Sequence, residues 1–124
     1  MAQTPSPIPL LCIGRLREVG ETLEQSLAPH YTFPGIIDFA NYSPQTVRVL
    51  LATLNPYPAG VFVGGGISRE VQQEVEKAVQ EHNAAGRHIL KFVCIPLGIR
   101  DRLGPDEVLE YIKDALAKEF GKSK

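Results

Sequence analysis

The residues able to do chemistry fall at four places along the chain, each just after a short apolar run. Gly14-Arg15-Leu16-Arg17 follows Leu10-Leu11-Cys12-Ile13, and Asp38, Asn41, Tyr42 and Ser43 follow Ile36-Ile37. Gly64-Gly65-Gly66, Ser68 and Arg69 follow Val61-Phe62-Val63, and Arg100-Asp101-Arg102 comes shortly after Val93-Cys94-Ile95. Arginine pairs bidentately with planar anions, helix starts present unpaired N–H groups, and glycine turns leave backbone amides open to a phosphate or carboxylate. The chemistry this set supports is recognition of an anion. The candidate ligand-binding residues are Gly14, Arg15, Gly64, Gly65, Gly66, Ser68, Arg69 and Arg100. Asp38 and Tyr42 are the candidate proton-transfer groups. No nucleophile–base pair is visible, so binding is expected in preference to turnover and no catalytic residue is assigned.

Each of these residues also has an architectural reading. The triple glycine turns the chain sharply and lets a helix pack close to a sheet, and an aspartate at a strand end commonly caps the next turn. The arginines taken singly are solvated loop charges of small energetic consequence. Only a common location makes them a site, and that location depends on the fold.

The elements that must position them alternate strictly. Leu10–Ile13 predicts a buried first strand, and Leu16, Val19, Leu23 and Leu27 at spacings of three and four predict the inner face of a first helix stopped by Pro29. Pro34 interrupts the second strand, leaves Gly35–Phe39 as its clean part, and predicts an edge position. Ser43-Pro44 starts a second helix with Val47, Leu50, Leu51 and Leu54 inward, ended by Asn55-Pro56. Val61–Val63 is a third strand, and the glycines are expected to supply backbone angles closed to other residues. Ser68 caps a third helix whose stripe is Val71, Val75, Ala78 and Val79, with Gly86 as its C-terminal cap. His88–Ile95 is a fourth strand. Pro105 begins a last helix with Leu109, Ile112, Leu116 and Phe120 inward and Gly121 beyond it.

Four β-α repeats in this order predict an α/β doubly wound parallel sheet with helices on both faces, a three-layer sandwich in (βα)4 order. The expected strand order is 2-1-3-4, with 3-2-1-4 as the rival. Residues 8–120 form one domain between Pro/Ser-rich residues 1–7 and the short tail 121–124. In such sheets ligands bind beyond the carboxyl ends of the strands, where neighbouring crossovers leave to opposite faces. That rule brings Arg15, Arg17, Arg69, Arg100 and Arg102 to one rim.

The layout resembles the flavodoxin-like and Rossmann-like folds, while their signature residues are not matched. A receiver domain needs acidic residues where this chain has Ile13-Gly14 and Val63-Gly64, and a flavodoxin needs hydroxyls where it has Gly14-Arg15-Leu16-Arg17-Glu18. Gly64-x-Gly66 begins a dinucleotide fingerprint, but Arg69 stands in place of its third glycine and the run follows the third strand. NAD binding on that plan is disfavoured, and no cofactor is assigned.

The 124 residues carry 13 basic and 14 acidic side chains, a formal net charge of −1, so no overall field recruits nucleic acid or an anionic membrane. Cys12 and Cys94 lie in apolar runs on strands that are candidate neighbours, and read as buried free thiols of a reducing, cytoplasmic compartment. No segment approaches the length of a membrane span and no secretory leader is evident. His30, His82 and His88 fall in separate elements, so no metal site is expected. The alternative function is a non-catalytic interaction module: an apolar fourth strand at a sheet edge invites a homodimer.

Overall fold

The computed structural model describes residues 7–54, 57–64, 66–85, 89–95, 99 and 104–120. In chain order these form β1 (Ile8–Gly14), α1 (Arg17–Leu27), β2 (Tyr31–Asp38), α2 (Pro44–Thr53), β3 (Gly60–Val63), α3 (Arg69–Ala84), β4 (Lys91–Cys94) and α4 (Pro105–Phe120), with a 3-10 turn at Phe39–Asn41. The four strands make one sheet in the order β2-β1-β3-β4 with every pairing parallel. The expected (βα)4 sandwich is therefore the fold, and the 3-2-1-4 alternative is excluded.

Alternation along the two inner strands builds both halves of the core. Leu11, Ile13, Val61 and Val63 face α2 and α3, while Leu10, Cys12 and Phe62 face α1 and α4. The chain steps from β1 outward to β2, then back across to β3 and β4. Right-handed crossovers taken in opposite directions deliver α1 to one face and α2 and α3 to the other. Burying both faces of β1 and β3 explains why they read as continuous apolar runs.

The first helix is turned relative to its expected face. Leu16 and Val19 are exposed, at 53% and 45%, and the buried face is Gly20 and Leu27 with Leu23 beside them. Gly20 is the cause. A Cβ there would stand 3.1 Å from the Cγ2 of Ile36 and 3.6 Å from the Cys12 sulfur, so its missing side chain lets α1 lie close against the sheet. Leu16 is the N-cap residue, outside the helix.

The second strand is longer than its sequence suggests. It begins at Tyr31 and runs through Pro34, because between Pro9 and Leu11 of β1 the pairing on β2 advances from Thr32 to Gly35. That irregularity accommodates a residue with no N–H to give, and β2 is the edge strand that Pro34 predicts. Conversely β4 is shorter than expected, starting at Lys91, because both main-chain groups of Leu90 bond the Asn83 side chain: its N–H donates to Oδ1 at 2.7 Å and its C=O accepts from Nδ2 at 3.1 Å. Expectations placed on Asn55, Pro56, Gly86, His88 and Gly121 fall outside the described residues.

β3 is squeezed at its start. A Cβ on Gly60 would lie 2.7 Å from the Lys91 carbonyl oxygen and 2.8 Å from the Phe120 ring. Gly60→Ala must therefore push β4 or α4 outward, and should lower unfolding stability by about 2 kcal/mol, read as a lower urea midpoint at unchanged slope.

Candidate anion site at the strand-end rim

The carboxyl ends of β1 and β3 lie side by side. The Gly64 N–H donates to the Ile13 carbonyl at 2.9 Å, carrying the pairing to the last residue of the strands. From there the chain leaves to opposite faces, through Arg15 into α1 and through Gly66 into α3, which makes this the switch point of the sheet. Gly66 and Arg15 meet across it. A Cβ on Gly66 would stand 3.3 Å from the Arg15 Cβ and 3.4 Å from its Cδ, so the aliphatic stem of Arg15 lies over the glycine. The described glycines of this rim, Gly14, Gly64 and Gly66, have no left-handed backbone angle. Contrary to the expectation of unusual angles, at Gly66 the requirement is close approach.

Two helix starts open here. Ser68 caps α3, its hydroxyl accepting the Val71 N–H at 3.4 Å, which ties the candidate serine to architecture first. α1 has no side-chain cap, since Leu16 occupies that position, and its first-turn N–H groups are left to solvent or a ligand. The side chains of Arg15 and Arg69 are exposed and make no hydrogen bond or ion pair with any described residue. Gly14 is open space on its side-chain face, the nearest atom to a Cβ there being 4.0 Å away.

Other expected members of the rim are engaged elsewhere. Arg17 donates to the Ile36 carbonyl at 3.0 Å and pairs with Glu21 at 3.4 Å, so it guards the β2 edge. Gly65, Arg100, Asp101 and Arg102 lie outside the described residues. Asp38 caps the 3-10 turn, accepting from the Asn41 N–H at 3.0 Å and its Nδ2 at 2.7 Å. Tyr42 donates to Glu74 at 2.8 Å, and burial together with that carboxylate pushes its hydroxyl well above the ordinary tyrosine value. Both proton-transfer candidates are thus engaged in hydrogen bonds, and of the two Asp38 lies beside the rim, paired in register with Gly14.

The sequence reading missed Glu24. Its Oε2 accepts the Phe33 N–H at 2.6 Å and the Thr32 hydroxyl at 2.9 Å, binding α1 to β2. No pattern in the sequence marks it, since Glu24 falls beside Glu21 at the margin of the expected apolar face. Also unanticipated is a cavity of about 290 Å³ at the opposite end of the sheet, lined among others by Leu27, His30, Tyr31, Lys113 and Asp114. A second, more open groove of about 450 Å³ runs between β4 and α4. Neither is lined by the described residues of the rim.

Cys12 and Cys94 are free thiols, and the expectation that their strands are neighbours is corrected: β3 lies between β1 and β4, and the two side chains face opposite halves of the core. Among the described residues no cluster of His, Cys, Asp and Glu is arranged to hold a metal, and no helix is long and apolar enough to cross a membrane. Compared with protein-family models, curated proteins and solved structures, the chain gives no match, and the functional reading rests on geometry alone.

Two stability predictions follow from buried polar atoms. The Tyr31 hydroxyl is buried with no hydrogen-bond partner among the described residues, and burial raises its pKa. Tyr31→Phe removes an unsatisfied group and should raise stability by about 1 kcal/mol in denaturant titrations. Burial, aided by the charge of Glu24, pushes the Cys12 thiol from 9.0 up to about 12. The folded state holds the proton more tightly, so this contribution is complete below about pH 9 and is lost as pH rises towards 12. Stability should fall by about 1.4 kcal/mol per pH unit across that window from this group, and Cys12→Ala should flatten the slope in pH-dependent denaturation.

Proposed function

We propose that the protein binds an anionic small molecule, phosphorylated or carboxylated, at the rim between β1 and β3. The carrying observation is the juxtaposition at the switch point: the Arg15 stem lies across Gly66, beside the uncapped first turn of α1 and the start of α3. Arg15 and Arg69 bring charge that no described carboxylate neutralises. The unpaired amides of α1 supply donors, and the helix dipole favours a negative group at that end. An arrangement of this kind suits the exposed phosphate or carboxylate end of a ligand. Gly14 serves by leaving its side-chain face open, and Gly65 and Arg100 are the remaining candidates of the set.

Binding without turnover is the reading preferred, because Asp38 and Tyr42 are engaged in hydrogen bonds to Asn41 and Glu74 and among the described residues no nucleophile bonds to either. The two free thiols, one of them fully buried, support a reducing compartment, the cytoplasm.

Thermal unfolding against phosphate, sulfate, nucleotides, sugar phosphates and dicarboxylates tests the proposal. A ligand at 100 times its dissociation constant adds about 2.7 kcal/mol, which for a domain of this size raises Tm by roughly 5 °C. Arg15→Ala should abolish the shift and leave the unliganded Tm within about 1 °C, since exposed charges contribute little to stability. A panel in which no anion moves the transition overturns the reading.

A further inference from the structure

The two edges of the sheet are finished differently. On β2, Pro34 removes a donor, Glu24 takes the Phe33 N–H, and Arg17 takes the Ile36 carbonyl. These are the devices by which proteins close an edge to further pairing. On β4, Lys91 and Ile95 donate inward to Ala59 and Val63 of the β3 side at 3.1 and 2.9 Å. Alternation along a parallel strand then turns the main-chain groups of Phe92 and Cys94 outward. Asn83 satisfies Leu90 at one end and goes no further. No described side chain bonds the outward groups of Phe92 and Cys94.

The surface beside this edge is also that of a contact face. Ile89, two residues before the start of β4, is 65% exposed, the highest value among the large apolar side chains of the described residues. A groove of about 450 Å³ separates β4 from α4, with Tyr111, Asp114, Lys118, Glu119 and the half-buried Phe92 on its walls.

We infer that β4 pairs antiparallel with β4 of a second copy of this chain about a two-fold axis. With Val93 opposite its own counterpart, Phe92 of one copy faces Cys94 of the other. Each such pair exchanges two main-chain hydrogen bonds, so the open groups of both strands are satisfied. The outward groups of Phe92 and Cys94 are symmetric about Val93, so a second copy of the same strand meets them in matching register, and the groove charges fit that occupant. Asp114 and Lys118 lie one helical turn apart on the same wall, and a two-fold that reverses α4 sets the Lys118 end of one helix against the Tyr111 and Asp114 end of the other. Opposite charges meet, and Lys118 comes within reach of an aromatic face. The contact lies on the side of the sheet, apart from the rim, and is independent of anion binding.

Sedimentation of the full chain over a range of concentrations tests this, with two variants. Cys94→Pro deletes an outward N–H and leaves the bonds to β3 in place, so the variant should be folded by circular dichroism and monomeric. Lys118→Asp, at an exposed position that cannot disturb the core, should weaken association by roughly tenfold, and adding Asp114→Lys should restore it. In the wild-type dimer the Phe92 and Cys94 amides should be protected from hydrogen exchange and should lose protection on dilution. A wild-type chain monomeric at every concentration overturns the inference. So does a dimer that ignores the Lys118 charge reversal and leaves these two amides unprotected.

Discussion

The structure depends on the parallel pairing of β1 with β3. Leu10 to Ile13 lie against Gly60 to Val63, and every one of these residues is buried. Strands covered on both faces can exist only if helices arrive from both sides. A chain in this order achieves that only by moving outward to β2 and returning past β1. The reversal is what separates α1 from α3, and the crevice at the strand ends is its geometric consequence. The rim therefore needs no separate device to form: wherever this pair is buried, backbone amides and helix starts converge at its carboxyl end. Arg15 and Gly66 are the sequence's particular use of that place.

Helix α3 holds the other inner pairing in register. β4 has four residues, too few to be fixed by ladder bonds alone. Gln72, in the first turns of α3, donates to the Ile67 carbonyl at 3.0 Å and to the Ile95 carbonyl at 3.5 Å. At the far end Asn83 bonds both main-chain groups of Leu90. One rigid helix thus grips the strand just beyond each end. Across the same layer Arg48 of α2 pairs with Glu81 of α3 at 3.2 Å and Tyr42 donates to Glu74, so the two helices on this face are joined by polar contacts at their solvent side while Val47, Leu51 and Val75 pack beneath.

The succession of elements, their parallel pairing and the edge position of β2 were legible because they follow from apolar periodicity and from what proline forbids, whereas the strand order 2-1-3-4 was expected only as the commonest arrangement of such a chain. Val61–Val63 and Leu10–Ile13 announce themselves, and Pro34 marks an edge before any coordinates are known. The orientation of α1 was not legible. A leucine and valine stripe at helical spacing outweighs a single glycine in any reading by hydrophobicity, yet Gly20 decides the packing because only its missing side chain fits against Ile36 and Cys12. Glu24 and Asn83 are hidden for a related reason: a polar residue that satisfies main-chain groups of a distant strand looks locally like any solvated position. At the candidate site, the switch-point rule places Arg15 and Gly66 together from sequence. It could not show that Arg17 is drawn away to the Ile36 carbonyl, since that depends on where the second strand begins.

The same residues that close one edge also explain why the two ends of the sheet differ in exposure. Glu24, Thr32 and Arg17 all act within the α1–β2 unit, and their bonds form as soon as that helix packs on its strand. Among the described residues β4 has no equivalent, because the helix that precedes it bonds Leu90 and the helix that follows it packs on the sheet face. An edge is protected by side chains that reach it laterally, and α4 reaches β4 with Leu116 and Ile112 pointed down into the core. Its polar flank, carrying Asp114 and Lys118, is left beside the open strand. The asymmetry is therefore a consequence of topology: a (βα)4 chain wraps its second strand early and meets its fourth with a helix committed to covering Phe62 and Val93.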